Sequence, residues 1–261
     1  MNRLAQTFTK MKVENRKAFV PYIMAGDGGI ECLTDRLITL EKLGAAAIEV
    51  GIPFSDPVAD GPTIQNAGIR ALKNGTTLKR IILELAAARE RIDIPLLIMT
   101  YLNPIYAYGI DGFVNDIKRA GVDGCIIPDL PIEEEDLIFP QLEDNNIELI
   151  RLVTLTTPLE RIKTISSRGK GFLYIVTVKG ITGARNEYDQ QLYQFLKTVQ
   201  EVSEIPVLAG FGISKEAQIR EITAYCDGVI VGSKIVDLFE KNNLLEMEKL
   251  MNVFNQDIKI F

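Results

Sequence analysis

Two carboxylates, Glu49 and Asp60, have a setting that suits proton transfer. They lie in the stretch Ile48-Glu49-Val50-Gly51-Ile52-Pro53-Phe54-Ser55-Asp56-Pro57-Val58-Ala59-Asp60-Gly61-Pro62. The apolar run ending at Val50 reads as a buried strand, broken at Gly51 and Pro53 by backbone freedom and a missing N–H. Glu49 therefore stands at a strand's C-terminal end and Asp60 on the shaped loop that follows. One carboxylate on a strand end and another on the adjoining loop can meet different surroundings, and unlike surroundings split two acids into different roles. The same residues admit a plainer reading, with Glu49 ion-paired to a Lys or Arg and Asp60 capping a helix that starts near Pro62. The chain has no histidine. That excludes Ser-His and Cys-His nucleophilic pairs and the commonest transition-metal ligand, leaving proton transfer to carboxylates, Tyr, Lys or Cys.

Glycines mark a second kind of chemistry. Gly210-Phe211-Gly212-Ile213-Ser214 and Val231-Gly232-Ser233-Lys234 would let backbone amides approach an anion, the second of them opening a short helix. Gly183, within the polar segment Val178 to Tyr188, can add a third amide. That segment is long enough for a lid over a cleft, or for a mere connection. Neither an H-x-x-x-H pattern nor a cysteine cluster exists, so metal-free chemistry on a phosphorylated small molecule is expected. Tyr22, Ile64, Met99, Ile126 and Phe211 can line an aromatic-sized pocket, or serve as ordinary core.

These residues need a scaffold that gathers strand ends. Eight β-prone apolar runs alternate with helical periods: Phe19 to Met24, Ala46 to Val50, Leu96 to Tyr101, Gly124 to Ile127, Glu148 to Val153, Phe172 to Thr177, Pro206 to Ala209 and Gly228 to Val231. Between them, Leu33-Leu37-Leu40-Leu43, Ile81-Leu85-Ala88-Ile92, Phe113-Ile117-Ala120 and Leu192-Leu196-Val199 recur at helical spacing. Eight βα units with continuously apolar strands point to a closed parallel barrel, with a doubly wound open sheet as the competing arrangement. In a barrel the active groups belong where strands end and loops begin. Leu4, Phe8 and Met11 recur at helical spacing and suggest a leading helix across the barrel floor. No repeat or linker interrupts residues 1–261, which are read as one domain.

A composition of 47% hydrophobic and 25% charged residues suits a globular chain with a sizeable core, and no apolar run approaches the roughly 20 residues of a membrane span. A formal charge of −6 supplies no basic field for nucleic acid. Cys32, Cys125 and Cys226 are scattered and odd in number, as expected of reduced thiols in a cytoplasm.

The quoted motifs, with Ala18-Phe19-Val20-Pro21-Tyr22, Thr63-Ile64-Gln65-Asn66-Ala67 and Gly180-Ile181-Thr182-Gly183, closely resemble the tryptophan synthase alpha subunit family from about Phe19 to the last helix. The resemblance implies an α/β fold, a single (β/α)8 TIM barrel with an N-terminal extra helix. It implies retro-aldol cleavage of indole-3-glycerol phosphate to indole and glyceraldehyde 3-phosphate. By position, Glu49 would protonate the indole ring carbon and take the proton of the glycerol hydroxyl, while Asp60 meets the indole N–H. Tyr174 matches an active-site tyrosine, Thr182 the lid threonine, and Gly183, Gly212, Gly232 and Ser233 the phosphate site. Tyr22 stands where many members have Phe, Thr100 where some have Leu, and Asp27-Gly28-Gly29 replaces the commoner Asp-Pro-Gly. Tyr22, Ile64, Thr100, Ile126 and Phe211 thus form the implied indole pocket.

The family works with a beta subunit that carries pyridoxal phosphate, in an alpha2-beta2 tetramer, and this chain would need no cofactor of its own. Interface positions map to Pro53, Asp56, Pro57, Asn103, Pro104, Asp129 and Pro131. A stand-alone lyase that releases indole, or a non-catalytic barrel that activates a partner, are the alternatives. The second would more readily have lost Glu49 or Asp60, and both are present.

Overall fold

The computed structural model describes residues 2–177, 185–210 and 212–254. Its eight strands are β1 (Ala18–Met24), β2 (Ile48–Gly51), β3 (Leu96–Met99), β4 (Gly124–Ile126), β5 (Glu148–Thr154), β6 (Leu173–Val176), β7 (Val207–Gly210) and β8 (Gly228–Val231). Each pairs with its sequence neighbour, and β8 returns to β1, so the sheet is a closed barrel rather than an open one. All pairs are parallel, which requires a crossover after each strand, and helices supply it. All eight predicted strands are found. The third is shorter than expected, because Thr100 and Tyr101 leave the sheet and Tyr101 becomes the N-cap of the helix Leu102–Tyr108.

Alternation along each strand divides the core in two. Val20, Tyr22, Met24, Leu97, Met99, Ile126, Ile150, Tyr174 and Leu208 point inward. Phe19, Ile23, Ile48, Val50, Ile98 and Ile175 face the helical layer. Both faces of each strand are therefore covered, which is why the strands read as continuous apolar runs.

The expected leading helix is Arg3–Val13, and it seals the barrel floor with Leu4, Phe8 and Met11. The Phe8 ring lies 5.4 Å from that of Phe172. Asn2 caps this helix by accepting from the Ala5 N–H at 3.0 Å, and Arg3 meets the buried Asp123 carboxylate at 2.8 Å. Asp123 also accepts the Leu96 N–H at 3.0 Å, tying the floor to the start of β3. Truncating Phe8 to Ala should leave a cavity between floor and barrel that costs about 3–5 kcal/mol, checked as a lowered urea midpoint with an unchanged slope. Stability within about 0.5 kcal/mol of the parent chain would show that the helix is not part of the core.

Candidate active site

Several of the groups expected from the sequence lie, among the described residues, at the strands' C-terminal ends. Glu49 sits near the end of β2, in register with Tyr22 of β1 on one side and Leu97 of β3 on the other. Strand alternation that sends Ile48 and Val50 outward turns Glu49 into the barrel, where it is only 1% exposed. Both of its carboxylate oxygens lack a hydrogen-bond partner. The ion-paired alternative is thereby ruled out. Burial first, and the nearby Asp60 charge second, push its carboxyl up to about 8.

Asp60 closes the loop before the helix Pro62–Lys73 and is half-buried. That helix is capped by Gly61 with no side-chain hydrogen bond, so Asp60 is not a cap. Burial raises Asp60 to about 6, opposed by the Tyr101 hydroxyl. Tyr22 and Tyr174 are buried and stand in the field of both acids, which holds their phenols protonated. Each tyrosine is admitted by a glycine: a side chain at Gly51 would fall on the Tyr22 hydroxyl, and one at Gly210 on the Tyr174 ring.

The two strand ends expected to meet an anion lie side by side, because Gly210 of β7 pairs with Ile230 of β8. Gly212 has φ +77°, a conformation glycine adopts freely. Gly232 begins the helix Ser233–Glu240, whose first amides have no side-chain cap. Such a helix start carries free N–H groups and partial positive charge. Gly232 also packs near Tyr22 and Ile64, so the candidate anion site adjoins the candidate aromatic pocket. Ile64, Met99 and Ile126 belong with Tyr22 to the inward cluster. Thr100 does not. It is buried one residue beyond Met99, and its hydroxyl lies 3.5 Å from the Tyr101 carbonyl, so Met99 takes the place expected for Thr100. Phe211, Thr182 and Gly183 lie outside the described residues. Among those described, no group of three or more Cys, Asp and Glu could hold a metal ion.

Known proteins are similar to this chain over nearly its whole length. The tryptophan synthase alpha chain family model matches residues 8–259. The chain belongs to the tryptophan synthase alpha chain family. It is 49% identical to the tryptophan synthase alpha chain of Bacillus thuringiensis subsp. konkukian over 95% of this chain and 96% of that one. With the alpha chain of Bacillus mycoides it shares 50% identity over 92% and 93%. Among solved structures, tryptophan synthase subunit alpha from Legionella pneumophila superposes with a TM-score of 0.88 at 33% identity, covering 99% of this chain and 98% of that one. A ligand-free tryptophan synthase from M. tuberculosis gives 0.86 at 31% identity, over 97% and 98%. The chain is thus a lyase of tryptophan biosynthesis, from a family that needs no cofactor of its own for the alpha reaction. Among the described residues no helix is long and apolar enough to cross a membrane.

The positions matched to the family's subunit interface fall on segments after β2, β3 and β4 along one arc of the rim. Asp56, Asn103, Asp129 and Pro131 are exposed, and Pro57 and Pro104 half-buried. Pro53 is buried and roots the loop instead of presenting surface, because it follows directly on the β2 pairing. Val58 and Tyr106, unremarked in sequence, add exposed apolar surface to the same arc, at 83% and 48%. Tyr101 was also missed. Its position at a strand end was legible, but its reach across to the loop before Asp60 depends on the β2–β3 register.

Buried Glu49 makes stability depend on pH. Its carboxyl moves from 4.5 to about 8 on folding, so the folded chain holds that proton more tightly than the unfolded one. The stabilisation is complete below the unfolded value and is lost as pH rises through the folded value. Glu49→Gln, which cannot ionise, should therefore gain on the parent chain at alkaline pH, on the order of 2–4 kcal/mol. Urea unfolding at about pH 5 and about pH 9 checks it, and a difference independent of pH would reject a buried, proton-holding Glu49.

Proposed function

We propose that the alpha reaction here is retro-aldol cleavage of indole-3-glycerol phosphate, with Glu49 as general acid/base and Asp60 as the carboxylate facing the indole N–H. The observation that carries this reading is Glu49 itself, a buried carboxyl without a partner, beside a second acid in a wetter setting. Protonated near neutral pH, Glu49 delivers its proton to the indole C3. The positive charge that develops on the ring nitrogen is met by ionised Asp60. Glu49, now a carboxylate, takes the glycerol hydroxyl proton as the carbon–carbon bond breaks. Indole and glyceraldehyde 3-phosphate leave, and Glu49 is again neutral.

Tyr174 and Tyr22 form the polar wall of this site, and Ile64, Met99 and Ile126 its apolar lining. The phosphate rests on the amides at Gly212, Gly232 and Ser233, and the family resemblance adds Gly183, with Phe211 in the pocket and Thr182 on the lid. The partner is a beta subunit that carries pyridoxal phosphate and condenses indole with serine, in an alpha2-beta2 tetramer. It docks on the arc of Asp56, Pro57, Asn103, Pro104, Asp129 and Pro131, with the chain 1–261 acting as one domain in the cytoplasm. Exposed Val58 and Tyr106 support that docking face.

Two measurements test the reading. Cleavage should show a bell-shaped pH profile in kcat/KM, with an acid limb near the Asp60 value of about 6 and an alkaline limb near the Glu49 value of about 8. Glu49→Gln should lose roughly 10²-fold or more in turnover while still binding substrate. Near-parental activity in that variant rejects the assignment. The second concerns coupling, since Asp56, Pro57 and Asp60 share one loop. The isolated chain should be a poor catalyst that the beta subunit activates, and a glycerol-phosphate analogue should tighten subunit association by a matching factor, about 5- to 150-fold. Full activity alone, with association indifferent to the analogue, would favour a stand-alone lyase.

A further inference from the structure

We propose that Tyr101 is the positioning residue for Asp60, clasping the loop 52–61 so that the Asp60 carboxylate is held ionised at the rim; this role rests on the reading of Asp60 given above. The loop is poorly equipped to hold itself. Pro53 and Pro57 lack N–H donors, and its internal backbone bonds are two short-range ones, Val58 N–H to the Asp56 carbonyl at 2.9 Å and Asp60 N–H to the Pro57 carbonyl at 3.1 Å. Ser55, Asp56 and Val58 are exposed. An ordered carboxylate at its end therefore needs an anchor from outside the loop.

Tyr101 supplies two. Gly51 of β2 is in register with Met99 of β3, and Ile52 N–H donates to the Met99 carbonyl at 2.9 Å, so the chain leaving β3 runs beside the start of the loop. Two residues on, the Tyr101 ring lies 5.4 Å from the Phe54 ring at an angle of 34°. Its hydroxyl accepts the Ala59 N–H at 3.0 Å. One side chain, 3% exposed, thus grips the loop at positions 54 and 59, and Asp60 is the next residue. Tyr101 is itself fixed from behind, where the Leu102 N–H donates to both Asp129 carboxylate oxygens at 3.0 and 3.2 Å.

The chemistry of a phenol completes the inference. Its oxygen is engaged as an acceptor by Ala59, and its single proton has the Asp60 carboxylate beside it. That interaction draws Asp60 down against the upward push of burial. The other groups facing Asp60 are Glu49, Tyr22 and Tyr174, and the first of these holds its proton near neutrality. Burial first, then the Asp60 charge, with a smaller push from Asp129, disfavour loss of the phenol proton and keep Tyr101 a donor. Tyr101 acts through Asp60 and not on the substrate.

The test compares Tyr101→Phe, which keeps the ring against Phe54 and removes only the hydroxyl, with Phe54→Leu, which weakens the ring contact and leaves the hydroxyl. Indole release from indole-3-glycerol phosphate is followed across pH with the beta subunit present. Asp60 is titrated directly by carboxyl 13C NMR, with Asp60→Asn to assign its signal. In Tyr101→Phe the acid limb of kcat/KM and the Asp60 midpoint should both move up by roughly one pH unit. Activity at about pH 5 should fall by roughly tenfold and at neutrality by only about twofold, and the alkaline limb should stay. Phe54→Leu should raise KM and leave the acid limb in place. An unmoved acid limb and an unmoved Asp60 midpoint in Tyr101→Phe overturn the positioning role while the functional reading stands. Absence of cleavage by the parent chain overturns that reading, and this role with it.

Discussion

A carboxyl group without a partner inside a closed barrel is the constraint from which the rest of the site follows. Removing an ionised carboxylate from water without compensation is far more costly than holding its proton, so Glu49 rests neutral and is already an acid. Among the described residues, nothing in its wall offers a cation. Its neighbours are Tyr22 and Tyr174, polar groups that themselves resist ionisation in this field. Had an arginine lain within reach, Glu49 would be a settled ion pair with its carboxyl held low. The chain does build such a pair elsewhere, between Arg151 and Glu135 at 2.7 and 2.8 Å in the helical layer. That pair is a strut, whereas Glu49 keeps its proton and has no hydrogen-bond partner, and the difference lies in the company each carboxylate keeps.

The barrel separates the work of stability from that of chemistry. At the floor, the helix Arg3–Val13 and the Asp123 network with Arg3 and the Leu96 amide close the structure with satisfied polar groups. At the rim, polar groups are left incomplete: the Glu49 oxygens, the opening amides of the helix Ser233–Glu240, the loop before Asp60. Glycines at Gly51 and Gly210 serve this end by letting two tyrosines approach the backbone. The barrel is therefore closed by satisfied polar groups at its floor and keeps unpartnered polar groups at its rim.

The loop 52–61 is where site and surface meet. Its inner end holds Asp60, its root is the buried Pro53, and its tip exposes Asp56 and Val58. The loop is held at both ends and displays its middle, and its prolines fix φ at two of its positions. Tyr101, two residues beyond β3, makes the placement of the loop depend on the barrel's register.

Much of this was legible in one dimension. Eight apolar runs separated by helical periods require parallel strands with covered crossovers, and period alone turns Leu4, Phe8 and Met11 onto one face. Glycine and proline punctuation placed Glu49 on a strand end and Asp60 on a loop, because these residues act on their own backbone. What sequence could not settle was whether Glu49 was paired, since an ion pair depends on which helix or strand lies opposite. Nor could it choose Met99 over Thr100, a choice made where β3 ends and alternation stops. Tyr101 remained invisible for the same reason: it lies 42 residues from Ala59. Local propensity fixes what each segment becomes, but only closure of the barrel decides which strand ends share a rim, and hence which side chains meet.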